Sequence, residues 1–425
     1  MRRTALRWIA AGNAILALAA ALEAARRPRY GGELRVEIRA AIASLDPGAV
    51  SEDPVALGAQ RQWMPLVFET LVQLDDHGRP QPWLATSWTH DTARKTWVFQ
   101  VRKNVKLHDG STWSPAGGSI TIPDDRAIEQ ILRELAGARS AIVVKAEDGA
   151  LLGTGPFRVA RWDAGKSATL VAHDQYWGGR PFLDSIRLQM GRSIADQASD
   201  FQIGRADAVE IATRDLRAAK QRGTAIAITQ PMETMALQFD DSRVTASVRQ
   251  ALSLSIDRAA ILNVLLQKQG EISGALLPHW LTGYSFLFPG ERDLARAKQA
   301  VRGPQTLTFA YDRQDPVIRP VAERIGVNAS ETGITLRQGA GSIDVRLVRL
   351  PITANDAWLA LQDLSALLKV APPSPLATPY EAEKTLIDSS GVIPLFHLPR
   401  GWMLSSRVKN WPRFEEVWLD AGAAQ

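Results

Sequence analysis

Gly153–Gln189, GTGPFRVARWDAGKSATLVAHDQYWGGRPFLDSIRLQ, is the stretch that decides the fold. Phe157 to Trp162 reads as a strand, and Asp163-Ala164-Gly165-Lys166 as the turn that ends it. From Ser167 the chain resumes with Ala168, Leu170 and Ala172 on one face, the alternation of a half-buried strand. Gly178-Gly179 and Pro181 break it again before Ile186-Arg187-Leu188-Gln189 begins a third strand. Ala160–Ser167 also fits a relaxed phosphate-loop pattern. A phosphate loop needs a helix after it, so that backbone amides face the anion, whereas Ala168–Ala172 alternates as a strand. A hairpin turn is therefore expected.

Gly153-Thr154-Gly155-Pro156-Phe157 followed by Asp174-Gln175-Tyr176-Trp177-Gly178-Gly179-Arg180-Pro181 resembles the GTGPY…NPDYWGGKP signature of the extracytoplasmic solute-binding proteins of family 5, the oligopeptide-, dipeptide- and nickel-binding group of ABC importers. The likeness continues towards the N-terminus through Gly31–Ile38, Ser44-Leu45-Asp46-Pro47, Leu66–Val72, Trp83–Trp88, Lys95–Arg102 and Val105–Gly110. Towards the C-terminus it continues through Gly204–Val209, Val248–Arg258, Asp293–Ala300, Val392–His397 and Val408–Trp411. It implies an α/β, two-lobed periplasmic binding protein of type II-like fold, with mixed sheets, a hinge and a ligand cleft between lobes. Lobe I would hold residues 30–236 plus 346–425, and lobe II residues 237–345. By the same resemblance the protein is a monomer that delivers a peptide or small polar solute to an ABC permease. It is not an enzyme and uses no cofactor. A degenerate fold serving as an envelope sensor or scaffold is the alternative.

The chain departs from that pattern twice. Between Trp113 and Gly153 it is short, with one helix over Asp125–Leu135, so the accessory subdomain of the first lobe is expected to be largely lost. After Asp344–Pro351 it runs into a helix over Asn355–Leu368. The acidic, proline-containing loop that anchors a peptide amine in relatives has no counterpart.

With 425 residues, 45% apolar and 22% charged, the chain can bury a large core and is not a disordered composition. The net charge of +5 is scattered, so no nucleic-acid footprint is expected. Met1–Ala25 reads as a Sec signal peptide: Arg2, Arg3 and Arg7, then an apolar run from Trp8 to Leu22, then small residues; an uncleaved anchor is the alternative, for which the run is short of the roughly 20 apolar residues of a bilayer span. Export to the periplasm follows as an expectation. Cysteine is absent, leaving no residue for lipid attachment or disulfides.

Strands and turns that carry Trp88, Trp97, Trp162, Trp177 and Trp411 suggest core packing for those rings. Trp280, Tyr284 and Trp402 fall in loop-like segments where an aromatic face suits a solute. Arg349, near a return crossing between lobes, can meet a carboxylate or form a structural ion pair. His397, at a strand end, is a candidate ligand or a histidine satisfied by backbone. The six histidines are dispersed, without a metal motif, and no nucleophile elbow or thiol is present. Asp124-Asp125 reads as a helix N-terminal cap pair, and Asp240-Asp241 similarly precedes a helix.

Overall fold

Two long strands hold the molecule together. The computed structural model describes residues 28–420 other than Asp241, Phe288, Pro289, Ala340 and Pro375; the expected signal segment Met1–Ala25 lies outside the described residues. The first part contributes β1 (Glu33–Glu37), α1 (Pro54–Trp63), β2 (Ala85–Asp91), β3 (Thr96–Val101), β4 (Ser119–Ile122), α2 (Ile128–Ala136), β5 (Phe157–Asp163), β6 (Ser167–Ala172), β7 (Ser185–Gln189) and β8 (Ala208–Ile211). The rest contributes β9 (Ala225–Phe239), α3 (Ala246–Ser255), β10 (Gln305–Ala310), α4 (Ile318–Ser330), β11 (Ile334–Gln338), β12 (Val345–Pro351), α5 (Ala357–Leu368), α6 (Pro379–Ser390) and β13 (Val392–Leu404).

One mixed sheet runs β5-β6-β7-β1-β8-β13-β9-β12-β10-β11. β1 pairs parallel with β7 and β8, whereas β9 and β13 are antiparallel. The sheet has two halves because β9 and β13 each serve both. Ala225–Ile228 pairs with Gly401–Leu404, beside β8. Glu233–Gln238 pairs with Val392–Leu398 and, on its other edge, with β12. Between these spans the register shifts twice around Pro231.

The decisive stretch is the antiparallel run β5-β6-β7. At its turn Lys166 N donates to Asp163 O at 3.0 Å, with Gly165 at φ 72°, and a strand follows. The phosphate-loop reading therefore fails for lack of a helix. The two signature glycines mark a backbone crossing. Gly155 N donates to Val67 O at 3.1 Å, and a Cβ on Gly153 would overlap the Val67 carbonyl. Side chains are excluded by contact with main chain.

Each half carries its own core. Leu34, Val36, Trp63, Phe157, Leu170, Ile186 and Trp402 pack in the first half. In the second half β9 alternates: Met235, Leu237 and Phe239 face the cluster of α3 and α4, while Ala236 faces α5 and α6. Covering both faces explains why this stretch reads as nearly continuous apolar sequence. Asp356 caps α5 through Leu359 N, and Thr378 with Glu381 forms a capping box on α6. A third body retains a core of Leu84, Phe99, Val101, Ile131 and Leu132 between the sheet β2-β3-β4 and α2. The shortened 113–153 region thus still closes a small subdomain.

Some local expectations fail for physical reasons. Leu66, Val67, Leu71 and Leu74 fall at near-helical spacing, yet Trp63–Leu74 is not one helix. The helix lies earlier, capped by Asp53 with Pro54 at its first position, and Val72–Leu74 is a strand. Asp124-Asp125 does not cap α2: Ala127 occupies the N-cap, and Asp124 binds Arg126 instead. Asp240 closes a turn onto Ser242, leaving Thr245 to cap α3; Asp241 lies outside the described residues.

Phe396 is fully buried on β13. Phe396→Ala is expected to cost about 3–5 kcal/mol, measured as a lower urea midpoint with an unchanged slope.

Candidate functional site

At the crossing between the halves, Pro231 of β9 stands opposite Pro399 of β13. Proline has no N–H, so this rung has no backbone donor on either side. Charged side chains gather beside it in an alternating chain. Arg400 Nε donates to Glu233 Oε1 at 3.0 Å, and Arg349 Nε donates to Glu233 Oε2 at 2.8 Å. Arg349 Nη1 reaches Asp315 Oδ2 at 2.9 Å, and Arg39 Nη1 reaches the same oxygen at 2.9 Å. Arg39 follows β1 in the first half, whereas Asp315 precedes α4 in the second. The last link therefore spans the two halves.

Burial alone would raise the Glu233 carboxyl, but the charges of Arg349 and Arg400 outweigh it and hold it below its ordinary range. Burial would likewise raise Asp315, and Arg349 with Arg39 reverses the sign. Burial would lower Arg349, and its two carboxylate partners raise it. Asp315 also receives Val317 N at 2.7 Å and Ile318 N at 3.1 Å, which ties the chain to the start of α4. The crevice left beside these groups is about 50 Å³, room for a few waters and not for a solute.

A larger cavity of about 560 Å³ opens next to it, between the end of α1, the small subdomain and the segment entering α5. Arg61 of α1 and Asp363 of α5 form a buried two-pronged pair at 2.9 and 3.1 Å. Arg133 of α2 joins Asp356 at 2.9 Å. Glu69 lies on the wall and accepts Trp83 Nε1 at 2.7 Å, Tyr176 OH at 2.8 Å and Trp177 Nε1 at 3.0 Å. Burial pushes its carboxyl above the ordinary range, offset in part by these donors. The Tyr-Trp of the central signature therefore surrounds one buried acid, and the Arg102 guanidinium covers Trp177 at 4.0 Å.

The structure places the sequence-selected residues apart. Arg349 lines the small crevice at the crossing as an ion-pair partner. Trp280 donates its indole N–H to Pro231 O at 2.8 Å, at the crossing itself. Tyr284 donates to the buried Glu383 at 2.6 Å. His397 is buried on β13, with Nε2 2.9 Å from Ala275 O, and burial lowers it to about 4. Trp402 packs against Trp411 within the first core. His108 and His173, distant in sequence, meet edge to face at 5.2 Å, and both contact Gly155 O. Among the described residues no group of three or more acids and histidines is arranged to hold a metal ion. Arg39, Glu233, Asp315 and Arg400 are not singled out from sequence; the prolines of Thr229-Gln230-Pro231 and Leu398-Pro399-Arg400 mark the neighbourhood of Glu233 and Arg400, and nothing local marks Arg39 or Asp315. Nothing local marks Arg61 and Asp363.

Comparison with known proteins agrees with this geometry. Residues 131–335 match the model described as bacterial extracellular solute-binding proteins, family 5 Middle. A probable D,D-dipeptide-binding periplasmic protein of Escherichia coli is 22% identical over 307 residues, which cover 60% of each chain. The nickel-binding periplasmic protein of the same organism is 23% identical over 288 residues, covering 55% of this chain and 54% of that one. The chain thus spans a little over half the length of these curated relatives. Among solved structures, the oligopeptide-binding protein AppA of Bacillus subtilis, in complex with a nonapeptide, superposes with a TM-score of 0.74 at 14% identity. That superposition covers 92% of this chain and 100% of the other. NikA of Staphylococcus aureus, in complex with Ni(L-His)2, gives 0.72 at 15%, covering 91% and 98%. These likenesses establish the two-lobed fold. No described helix is long and apolar enough to cross a membrane.

Glu233 and Asp315 sit below their ordinary values of 4.5 and 3.8, so the unfolded chain takes up their protons first as pH falls. Their stabilisation is complete above pH 4.5 and is lost on acidification below it. Glu233→Gln is expected to cost about 3–5 kcal/mol at pH 7 and to flatten the acid limb of a melting-temperature profile. A variant that melts like the wild type at pH 7 would contradict the charge chain.

Proposed function

We propose that the chain, whose residues 131–335 match the bacterial extracellular solute-binding proteins of family 5, is the capture component of an ABC-type importer. It takes a peptide or similar small polar solute between its lobes, outside the cytoplasmic membrane, and presents it to a permease as a monomer. The observation that carries this reading is the donorless Pro231–Pro399 rung, on one side of which β13 carries β8 and on the other β9 carries β12, next to a solute-sized cavity. A sheet interrupted at one rung bends there at little cost, and bending moves one cavity wall against the other.

The lobes divide at that rung. Residues 28–230 with 400–420 form one and residues 232–398 the other, with the small subdomain on the first. The segment 357–392, assigned from sequence to the first lobe, goes with the second because Leu361, Leu364 and Leu386 share a core with Ala236 and Leu350. Solute stabilises the closed arrangement through contacts from both sides. The binding residues are proposed at the cavity rather than at Trp280, Tyr284, His397 and Trp402, whose polar atoms or rings are engaged within the fold; Arg349 acts at the hinge.

Thermal melts of the purified protein against dipeptides, oligopeptides, metal chelates and sugars test the reading. A solute at about 100 times its Kd stabilises by about 2.7 kcal/mol, so one class is expected to raise the melting temperature by several degrees. A cooperative melt unmoved by every class would overturn it.

A further inference from the structure

Helix α5 faces two ways. Its apolar residues Ala360, Leu361, Leu364 and Leu368 pack with Leu350 and Leu386 in the core of the second lobe. Its charged residues reach the first. Asp356, at its N-cap, meets Arg133 of the small subdomain at 2.9 Å. Asp363, in its middle, takes the two-pronged bond from Arg61 of α1 at 2.9 and 3.1 Å. Lys369, just past its end, meets Glu52, which precedes α1, at 3.0 Å. Backbone contacts run beside these pairs: a Cβ on Gly78 would overlap the Asn355 carbonyl oxygen, and one on Gly137 would press on Leu359. By its apolar stripe α5 belongs to one lobe, and from start to end it is tied to the other.

Each of these ties joins protein to protein, so none needs a solute to form. Their weights differ. Lys369 and Glu52 are both exposed, and a pair of that kind contributes little. Arg61 and Asp363 are both buried, and their bond is charge-assisted and two-pronged, which fixes how α5 sits against α1. Parting the lobes returns both groups to water, which offsets most of the attraction lost. Such a pair biases the lobes towards contact and still lets them separate. Arg61, Leu359 and Asp363 also line the 560 Å³ cavity, so the groups that hold the lobes together bound the space a solute enters.

We propose that α5 is a latch: the Arg61–Asp363 and Arg133–Asp356 pairs hold the lobes in contact across the cavity, and a solute enters or leaves only when they part. The proposal rests on the two-lobed capture reading, with the lobes divided at the Pro231–Pro399 rung. Solute contacts then add to a closure that the chain already favours, instead of creating it. The latch works at the cavity, whereas the Arg39–Asp315 link works at the crossing.

The test is a spin-label distance across the cavity, read by pulsed electron resonance on the full chain with no solute added. Thr92→Cys, in the turn between β2 and β3, and Thr385→Cys, on α6, are exposed positions in a chain that has no other cysteine. In the otherwise unaltered chain this pair is expected to give one narrow distribution, with open conformers below about 10%. Arg61→Met with Asp363→Leu removes the buried pair without leaving a lone buried charge, and Arg133→Gln removes the second pair. The three changes together are expected to move most of the distribution to longer distances. If that protein does not fold, Arg133→Gln alone carries the comparison, with the open fraction expected to rise about threefold. Open conformers dominant in the unaltered chain, or distributions unmoved by loss of the pairs, would overturn the latch. Both results leave solute capture standing, because the melts against the solute panel decide that reading separately.

Discussion

A sheet rung at which neither strand has an N–H to give is the constraint on which the structure depends. Pro231 and Pro399 face each other there; β9 and β13 stay paired through the rung, but β8 flanks β13 on one side of it and β12 flanks β9 on the other. Proline is tolerated within a sheet where the ladder is already interrupted. The register shifts around Pro231 supply that interruption. Everything beyond the rung is ordinary sheet with helices on its faces; the interruption separates the sheet into two halves.

The side chains at the rung take over part of what the backbone cannot do. Glu233 sits between Arg349 and Arg400, and Asp315 between Arg349 and Arg39. Buried ion chains add little net stability, because desolvation consumes most of the attraction, but they are demanding about geometry. Such a chain defines one arrangement of the halves without welding them. Gly58 serves the same junction: a Cβ at that position of α1 would press on Pro351 and Arg400. The cavity beyond is closed from the other side by Arg61–Asp363 and Arg133–Asp356, links between the first lobe or its small subdomain and α5.

The fold was legible in the sequence where contacts are local or where a motif encodes a close approach. The hairpin at Asp163–Lys166 and the alternation of β6 are both readable within a few residues. Gly153 and Gly155 are legible for a different reason: they mark contact with the backbone of Leu66 and Val67. The apolar stripe at 63–74 misled because a short helical turn and a strand can bury the same residues that one helix would. The site was much less legible. Arg61 and Asp363 are 302 positions apart, and no local pattern couples them. His397 and Tyr284 look exposed by residue type, yet each is taken up by a buried internal partner.

The most direct measurement is a spin-label distance across the rung. The chain has no cysteine, so Ser199→Cys in the first half and Ser330→Cys in the second, both at exposed positions, give a unique pair. Pulsed electron resonance would compare that pair in the otherwise unaltered chain and with Arg39→Gln, which breaks the link to Asp315 between the halves. A hinge at Pro231–Pro399 predicts that Arg39→Gln broadens the distance distribution and moves it to longer values. Superimposable narrow distributions in the two proteins would contradict it, and would mean that the halves form one rigid body whatever the charges at the crossing.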